Sequence, residues 1–194
     1  MNTSKQSNGV QKLRRGAPRA LIVLSLAMVG LGWAALPSGV VRAQVSFQRI
    51  TGKTFDGAVP REFVLETFAI PVEKRNAALI KTPQGSRLLF ALLDTSGYSS
   101  QVQQKYIGMI IAEGKVRICG HWLGTGSYGF GLTKPVPAGP GPAEFKFYDQ
   151  AGIQLASCPA ARDEKLQQPR PLQVQWNGQT EARLYVGRYW AAFR

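Results

Sequence analysis

One stretch indicates the fold class most directly: residues 172–186 read Leu172-Gln-Val-Gln-Trp-Asn-Gly-Gln-Thr-Glu-Ala-Arg-Leu-Tyr-Val186. Apolar and polar residues alternate on both sides of Asn177-Gly178, with the period of two that is typical of a half-buried strand. Asn-Gly tolerates the positive φ angles of a type I′ turn. The stretch therefore predicts a β-hairpin.

Similar short runs, rich in β-branched and aromatic residues, fill most of the chain beyond the N-terminal segment. Turn-forming Gly, Pro, Asn or Asp bounds them, and no strand–helix–strand alternation is present. The pattern predicts an all-β, mainly antiparallel fold, either a β-sandwich or a small β-barrel of about 7–10 short strands. The predicted strands are 45–50, 62–70, 86–94, 106–112, 115–123, 127–133, 143–148, 153–157, 172–176 and 180–189.

Further predictions concern particular segments. Residues 86–93 lack alternation, which suits either a strand buried on both faces or a short helix. Minor helical turns are predicted at 72–80 and at 159–168, the latter between two prolines. A second hairpin is predicted to turn at 112–115. Residues 135–142 contain four prolines and are predicted to form a stiff loop.

The N-terminal segment has the plan of an export signal. Six basic residues and no acidic residue fall within residues 1–43, and an apolar stretch covers 20–36. This pattern predicts a signal peptide at 1–43, cleaved after Ala43, that leaves one β-rich domain at 44–194. The alternative is an uncleaved N-terminal anchor, since the apolar stretch is close to the minimum length for a membrane span. The predicted location is the periplasm or the extracellular space, or the membrane surface if the anchor persists.

The charge of the chain argues against a nucleic-acid partner. The whole chain has 24 basic and 11 acidic residues, a net charge of +13. The six basic residues of 1–43 leave 18 basic residues against the same 11 acids for 44–194, a net charge of +7. These basic residues are interspersed rather than clustered, unlike a nucleic-acid site. The remaining charge favours a weak attraction to anionic surfaces, such as an acidic polysaccharide or lipid headgroups.

Cys119 and Cys158 are the only cysteines. In an oxidising compartment such a pair normally joins, so the sequence predicts a structural disulfide. His121 is the only histidine, two residues after Cys119. A Cys–His nucleophile pair needs this proximity, but the disulfide consumes the thiol. We therefore predict no catalytic, cofactor-binding or metal-ligating residues, and no cofactor.

The sequence favours a non-catalytic binding or accessory module that acts in the cell envelope or outside the cell. Its partner is not identified; a protein, a polysaccharide and an anionic envelope surface all suit the composition. One alternative is a secreted enzyme whose site is assembled from scattered residues. Another is a small outer-membrane-type barrel. The predicted binding surface consists of His121, Trp122, Tyr128, Phe130, Trp176, Tyr189 and Trp190.

Overall fold

The computed structural model describes residues 46–134 and 142–194. The predictions for residues 1–43 and for most of the proline-rich loop fall outside these ranges. Almost every described element is a strand. In chain order the elements are β1 (Gln48–Ile50), α1 (Lys53–Ala58), β2 (Glu62–Leu65), β3 (Phe68–Lys81), β4 (Arg87–Leu93), α2 (Ser100–Lys105), β5 (Gly108–Ala112), β6 (Val116–Ile118), β7 (His121–Leu123), β8 (Gly126–Thr133), β9 (Glu144–Tyr148), β10 (Gln154–Pro159), β11 (Ala161–Arg162), β12 (Leu172–Asn177), β13 (Glu181–Val186) and β14 (Tyr189–Phe193).

The strands form two antiparallel sheets. Sheet I has the order β1-β3-β4-β5-β8-β9-β10, and β2 also pairs with β3. Sheet II has the order β12-β13-β14-β6-β7, and β11 also pairs with β14. The chain changes sheets between β10 and β11, where the amide of Ala160 donates to the carbonyl of Ala143. Two antiparallel sheets with few helices confirm the predicted fold class and are consistent with its sandwich alternative.

The main core lies between the two sheets. It joins side chains of β4, β5, β8 and β9 to those of β12, β13 and β14. The rings of Phe90 in sheet I and Phe193 in sheet II are 5.1 Å apart. A second core covers the other face of sheet I, where Leu65 of β2 and Val102 of α2 pack. Sheet I is therefore buried on both faces, and this is why residues 86–93 lack alternation. The strand interpretation of that segment is confirmed.

The hairpin at 172–186 is present, with a different turn. Leu172 pairs with Val186, and the pairing runs on to Asn177 and Glu181. The connection is therefore three residues long, with Gly178 at a φ of 77°, rather than the predicted two-residue turn. The side chain of Asn177 donates to Glu181 across it, at 2.7 Å. The asparagine acts as a strand end and not as a turn residue.

The described residues form fourteen strands, more than the 7–10 predicted. Three predicted strands, 62–70, 115–123 and 180–189, are each a hairpin with a tight turn inside. Every one of these turns contains a residue at positive φ: Glu66 at 56°, Cys119 at 50° and Gly187 at 61°. Gly120, at a φ of 86° beside Cys119, and Gly187 supply the usual glycine signal in two of these turns, whereas the turn at Glu66 lacks it.

Three other local predictions are wrong. Residues 72–80 belong to the long strand β3, because they pair with both β1 and β4. The segment 159–168 contains the end of β10 and the short strand β11 rather than helical turns. The turn at 112–115 does not close a hairpin. It sends the chain from β5 in sheet I to β6 in sheet II.

The predicted disulfide between Cys119 and Cys158 is confirmed. It joins the turn of the β6–β7 hairpin in sheet II to the edge strand β10 of sheet I. The crosslink therefore connects the two sheets on one side of the molecule. Within residues 46–134 and 142–194, no helix has both the length and the apolar character needed to cross a membrane.

Candidate functional site

A row of side chains crosses the outer face of sheet II, the face turned away from the main core. Trp122 of β7 pairs with Arg117 of β6. Arg117 and Arg194 exchange two backbone hydrogen bonds of 2.9 Å each. The guanidinium of Arg194 binds the carboxylate of Glu181 at 2.6 and 3.0 Å, and Glu181 accepts from Asn177. We call these five residues the Trp122–Asn177 row.

Strand alternation explains why this row faces outward. Val116 and Ile118 of β6 are buried in the main core, so Arg117 between them points to the other side. Leu123 of β7 is buried as well, which turns Trp122 outward. Trp122 is 67% exposed, the highest value among the exposed large hydrophobic side chains of the described residues. The core anchors the hairpin and leaves its aromatic and basic side chains free to contact a partner.

A second row runs parallel to the first. Gln175 of β12 pairs with Arg183 of β13, and Arg183 pairs with Ala192 of β14. The guanidinium carbon of Arg183 lies 4.0 Å from the centre of the Trp190 ring, a cation–π contact. Because Ala192 is small, a hollow of about 260 Å³ remains above it, next to Arg117. The two rows together form a shallow surface of arginine, aromatic and amide groups.

The surface carries a positive charge. The two rows hold three arginines, Arg117, Arg183 and Arg194, and one acid, Glu181, which gives a net charge of +2. The hydrogen bond from Asn177, followed by that from Arg194, lowers the pKa of Glu181. Glu181 therefore remains a carboxylate at neutral pH and partly neutralises Arg194. The guanidinium of Arg117 donates only to the carbonyl of Gly120 among the described residues and forms no ion pair there, so its charge is available.

Beyond the second row, residues 163–170 fold over the outer face. The hydroxyl of Tyr185 donates to Asp163 at 3.0 Å, and burial, followed by this bond, raises the pKa of Tyr185. Arg188 donates to three carbonyls of the segment, the shortest bond being 2.8 Å to Leu166. Between this segment and β12 runs a groove of about 510 Å³. Gln173 and Gln175 line it, so the groove continues the surface of the two rows.

The seven predicted surface residues do not form one surface. Trp122 and Trp190 lie on the outer face of sheet II, and His121 is exposed beside Trp122. Tyr189 is partly buried against the main core. The prediction for Phe130 is wrong, because this side chain is fully buried in the core between the sheets.

The other two predicted residues lie elsewhere. Trp176 stacks on Phe47 with ring centres 5.7 Å apart. Tyr128 belongs to sheet I and donates to the carbonyl of Gly124. The sequence analysis missed Arg117, Arg183 and Arg194, which supply the charge of the surface. Their alternation with buried residues was a usable signal, but the pairing of β6 with β14 was not visible.

The surface has the chemistry of a binding site. Planar guanidinium groups bind carboxylates or phosphates through two parallel hydrogen bonds, and an exposed indole offers a flat apolar face. Cys119 is held in the disulfide. Within the described ranges, His, Cys, Asp and Glu side chains form no group of three or more that is able to hold a metal ion.

Comparison with known proteins adds no assignment for the outer face of sheet II. No protein-family model matches the chain, and neither does any curated protein sequence or solved structure. What the site does is therefore inferred from the side chains that the fold places together.

Proposed function

We propose that the chain is an exported, non-catalytic binding module, and that the outer face of sheet II binds an acidic polysaccharide. One observation carries this proposal. Trp122 on β7, Arg117 on β6 and Arg194 directly after β14 lie side by side, exposed on the same face. The disulfide between the sheets is compatible with an oxidising compartment, where such a ligand occurs.

Groups from both rows suit the parts of a uronic-acid chain. The face of a sugar ring is lined by C–H groups and packs on an indole such as that of Trp122. The carboxylate of the next sugar pairs with Arg117 through the guanidinium fork. The amide side chains of Asn177 and Gln175 both donate and accept, as sugar hydroxyls require. Across the sheet, the surface therefore offers a stacking platform, then an anion site and then hydrogen-bonding groups for sugar hydroxyls.

The shape of the surface favours a chain over a compact ligand. The hollow beside Ala192 is about 260 Å³ and shallow, whereas the two rows extend across sheet II to the groove beside Gln173. Glu181 within the row sets a limit on how much negative charge the surface accepts. A carboxylated polysaccharide, with one charge per sugar, suits this mixed surface better than a densely charged polymer.

The test is affinity electrophoresis of the purified protein in gels that contain polygalacturonate. Trp122→Ala and Arg117→Gln should each weaken binding by about tenfold, which corresponds to about 1.4 kcal/mol. Matched controls are Ile153→Ala, which removes a side chain that is 63% exposed on another surface, and Arg75→Gln, which removes an exposed arginine from sheet I. Both controls should bind like the unaltered protein.

Neutral dextran serves as the control polymer and should not retard any variant. Added salt should weaken binding to polygalacturonate, since it screens exposed charges. Retardation of the Trp122→Ala and Arg117→Gln proteins equal to that of the unaltered protein would overturn the proposal.

A further inference from the structure

A cleft opens where the ends of both sheets meet. Sheet I contributes Leu92 at the end of β4 and Leu132 at the end of β8. Sheet II contributes Val186 at the end of β13, and Ile107 lies just before β5. Leu92, Ile107 and Val186 also pack against the main core. The cleft holds about 540 Å³, within the range of small-molecule sites. Apolar side chains dominate the lining, which also includes Thr95 and Glu73, whose carboxylate accepts a hydrogen bond from Asn76. We call this space at the edge of the core the apolar chamber.

A second, more polar depression of about 550 Å³ adjoins the apolar chamber. The two share Ile107, Leu132 and Lys134, so Lys134 lies at their junction. Glutamines of α2 and two further lysines, Lys105 and Lys146, line the polar side. Mainly apolar side chains thus fill one end of a continuous space and amide and ammonium groups the other, and three lysines stand against the single acid Glu73 in its lining.

The three lysines differ in how far their charges are compensated. Lys105 binds Glu66 at 2.5 Å, and Lys146 lies 3.7 Å from Glu144. Among the described residues, Lys134 forms no ion pair. An exposed lysine at the junction of an apolar and a polar chamber attracts an anion whose remainder is apolar. This arrangement selects an amphiphile with a negative head.

From this polarity we infer a second binding site, separate from the outer face of sheet II, for a single-chain lipid with an anionic headgroup. The hydrocarbon chain lies among Leu92, Ile107, Leu132 and Val186, where it replaces water against apolar surface. The headgroup lies on Lys134 and reaches the polar depression. The inference goes beyond the proposed polysaccharide site, with which the cleft shares no lining residue.

The experiment is isothermal titration of the full chain with dodecyl phosphate below its micelle-forming concentration. Three related compounds divide the interaction into parts: dodecanol keeps only the chain, inorganic phosphate keeps only the head, and dodecyltrimethylammonium reverses the charge. Dodecyl phosphate should bind at a ratio of one to one and at least tenfold more tightly than each of the three. Equal affinity for inorganic phosphate, or for the cationic amphiphile, would overturn the inference.

Two variants locate the site. Lys134→Gln should weaken dodecyl phosphate binding at least fivefold and leave dodecanol binding unchanged. Thr95→Trp places an indole at the wall of the apolar chamber and should abolish binding of both. Lys81→Gln, an exposed lysine on sheet I outside the cleft, is the matched control. Near-ultraviolet circular dichroism verifies that each variant is folded.

Trp122→Ala separates this inference from the proposed function. It should leave dodecyl phosphate binding unchanged while it weakens polygalacturonate binding. Loss of both activities in this variant would show that the two sites are not independent and would contradict the inference. Retention of dodecyl phosphate binding by Thr95→Trp would contradict it as well.

Discussion

Gly108 shows how closely the strands of sheet I approach the core. A Cβ atom at this position would lie 2.6 Å from the carbonyl oxygen of Ala91 and would overlap the ring of Phe130. Gly129 has a similar role, since a Cβ there would lie 2.8 Å from the ring of Tyr106. Glycine at positions 108 and 129 therefore leaves space for aromatic rings and, at Gly108, for the neighbouring backbone.

Gly108→Ala should consequently destabilise the protein by about 1–3 kcal/mol, the usual cost of an overpacked core. Gly57→Ala is the matched control, because a Cβ at Gly57 meets no atom within 4 Å. It lies in α1, where alanine is favoured over glycine by up to about 1 kcal/mol. Urea unfolding measures both. A Gly108→Ala protein as stable as the Gly57→Ala protein would show that sheet I adapts without cost.

The turn at Glu66 could not be predicted from the residues around it. Glu66 adopts a φ of 56°, which a residue with a side chain rarely does. Its carboxylate accepts from Lys105 and from the hydroxyl of Tyr106, at 2.5 and 2.8 Å, and its amide donates to the carbonyl of Gln150. These partners lie 39 or more residues away, so no local pattern marks the turn. The lysine bond, followed by the tyrosine bond, lowers the pKa of Glu66.

At the scale of elements, local chemistry predicted strands better than it predicted their partners. The hairpin of β12 and β13 was predictable because its two strands are adjacent in sequence and alternate cleanly. The pairing of β6 with β14 was not, since its partners Ile118 and Phe193 are far apart in the chain. The surface that we propose as a binding site depends on this long-range pairing. The three arginines of this surface could be read from the sequence, but their position side by side could not be predicted from it.

The β6–β7 hairpin should depend strongly on the disulfide. It is short, joins the end of β14 through the backbone of residues 117–119 and is linked to β10 through Cys119. Replacing both cysteines by serine should cost about 2–5 kcal/mol of stability. Amide hydrogen exchange should rise more at β6 and β7 than in β4 and β5, which are buried within sheet I. Reduction of the unaltered protein is the control and should reproduce the effect. A uniform rise across both sheets would contradict this prediction.

Considered as a whole, the molecule buries tyrosines on the outer sides of both sheets, away from the main core. Tyr106 and Tyr148 belong to the second core, on the α2 side of sheet I, and their rings lie 5.3 Å apart. Tyr185 lies under residues 163–170 on the far side of sheet II. Burial is the largest cause that raises the pKa of all three. The packing on the α2 side of sheet I and the packing under residues 163–170 therefore share a sensitivity to alkaline pH.

The sign of this sensitivity follows from linkage. In the unfolded chain a tyrosine loses its proton near pH 10, whereas the folded protein retains it at higher pH. The folded state then binds more protons than the unfolded state, so the free energy of unfolding falls as the pH rises above about 10. The stabilisation is fully present below that pH.

Urea midpoints measured between pH 8 and pH 11.5 should be level at first and then fall, with recovery on return to pH 8. Tyr106→Phe should be slightly less stable at pH 8, because the hydrogen bond to Glu66 is lost, and should show a shallower alkaline decline. An equally steep decline in this variant would contradict the assignment of the sensitivity to Tyr106.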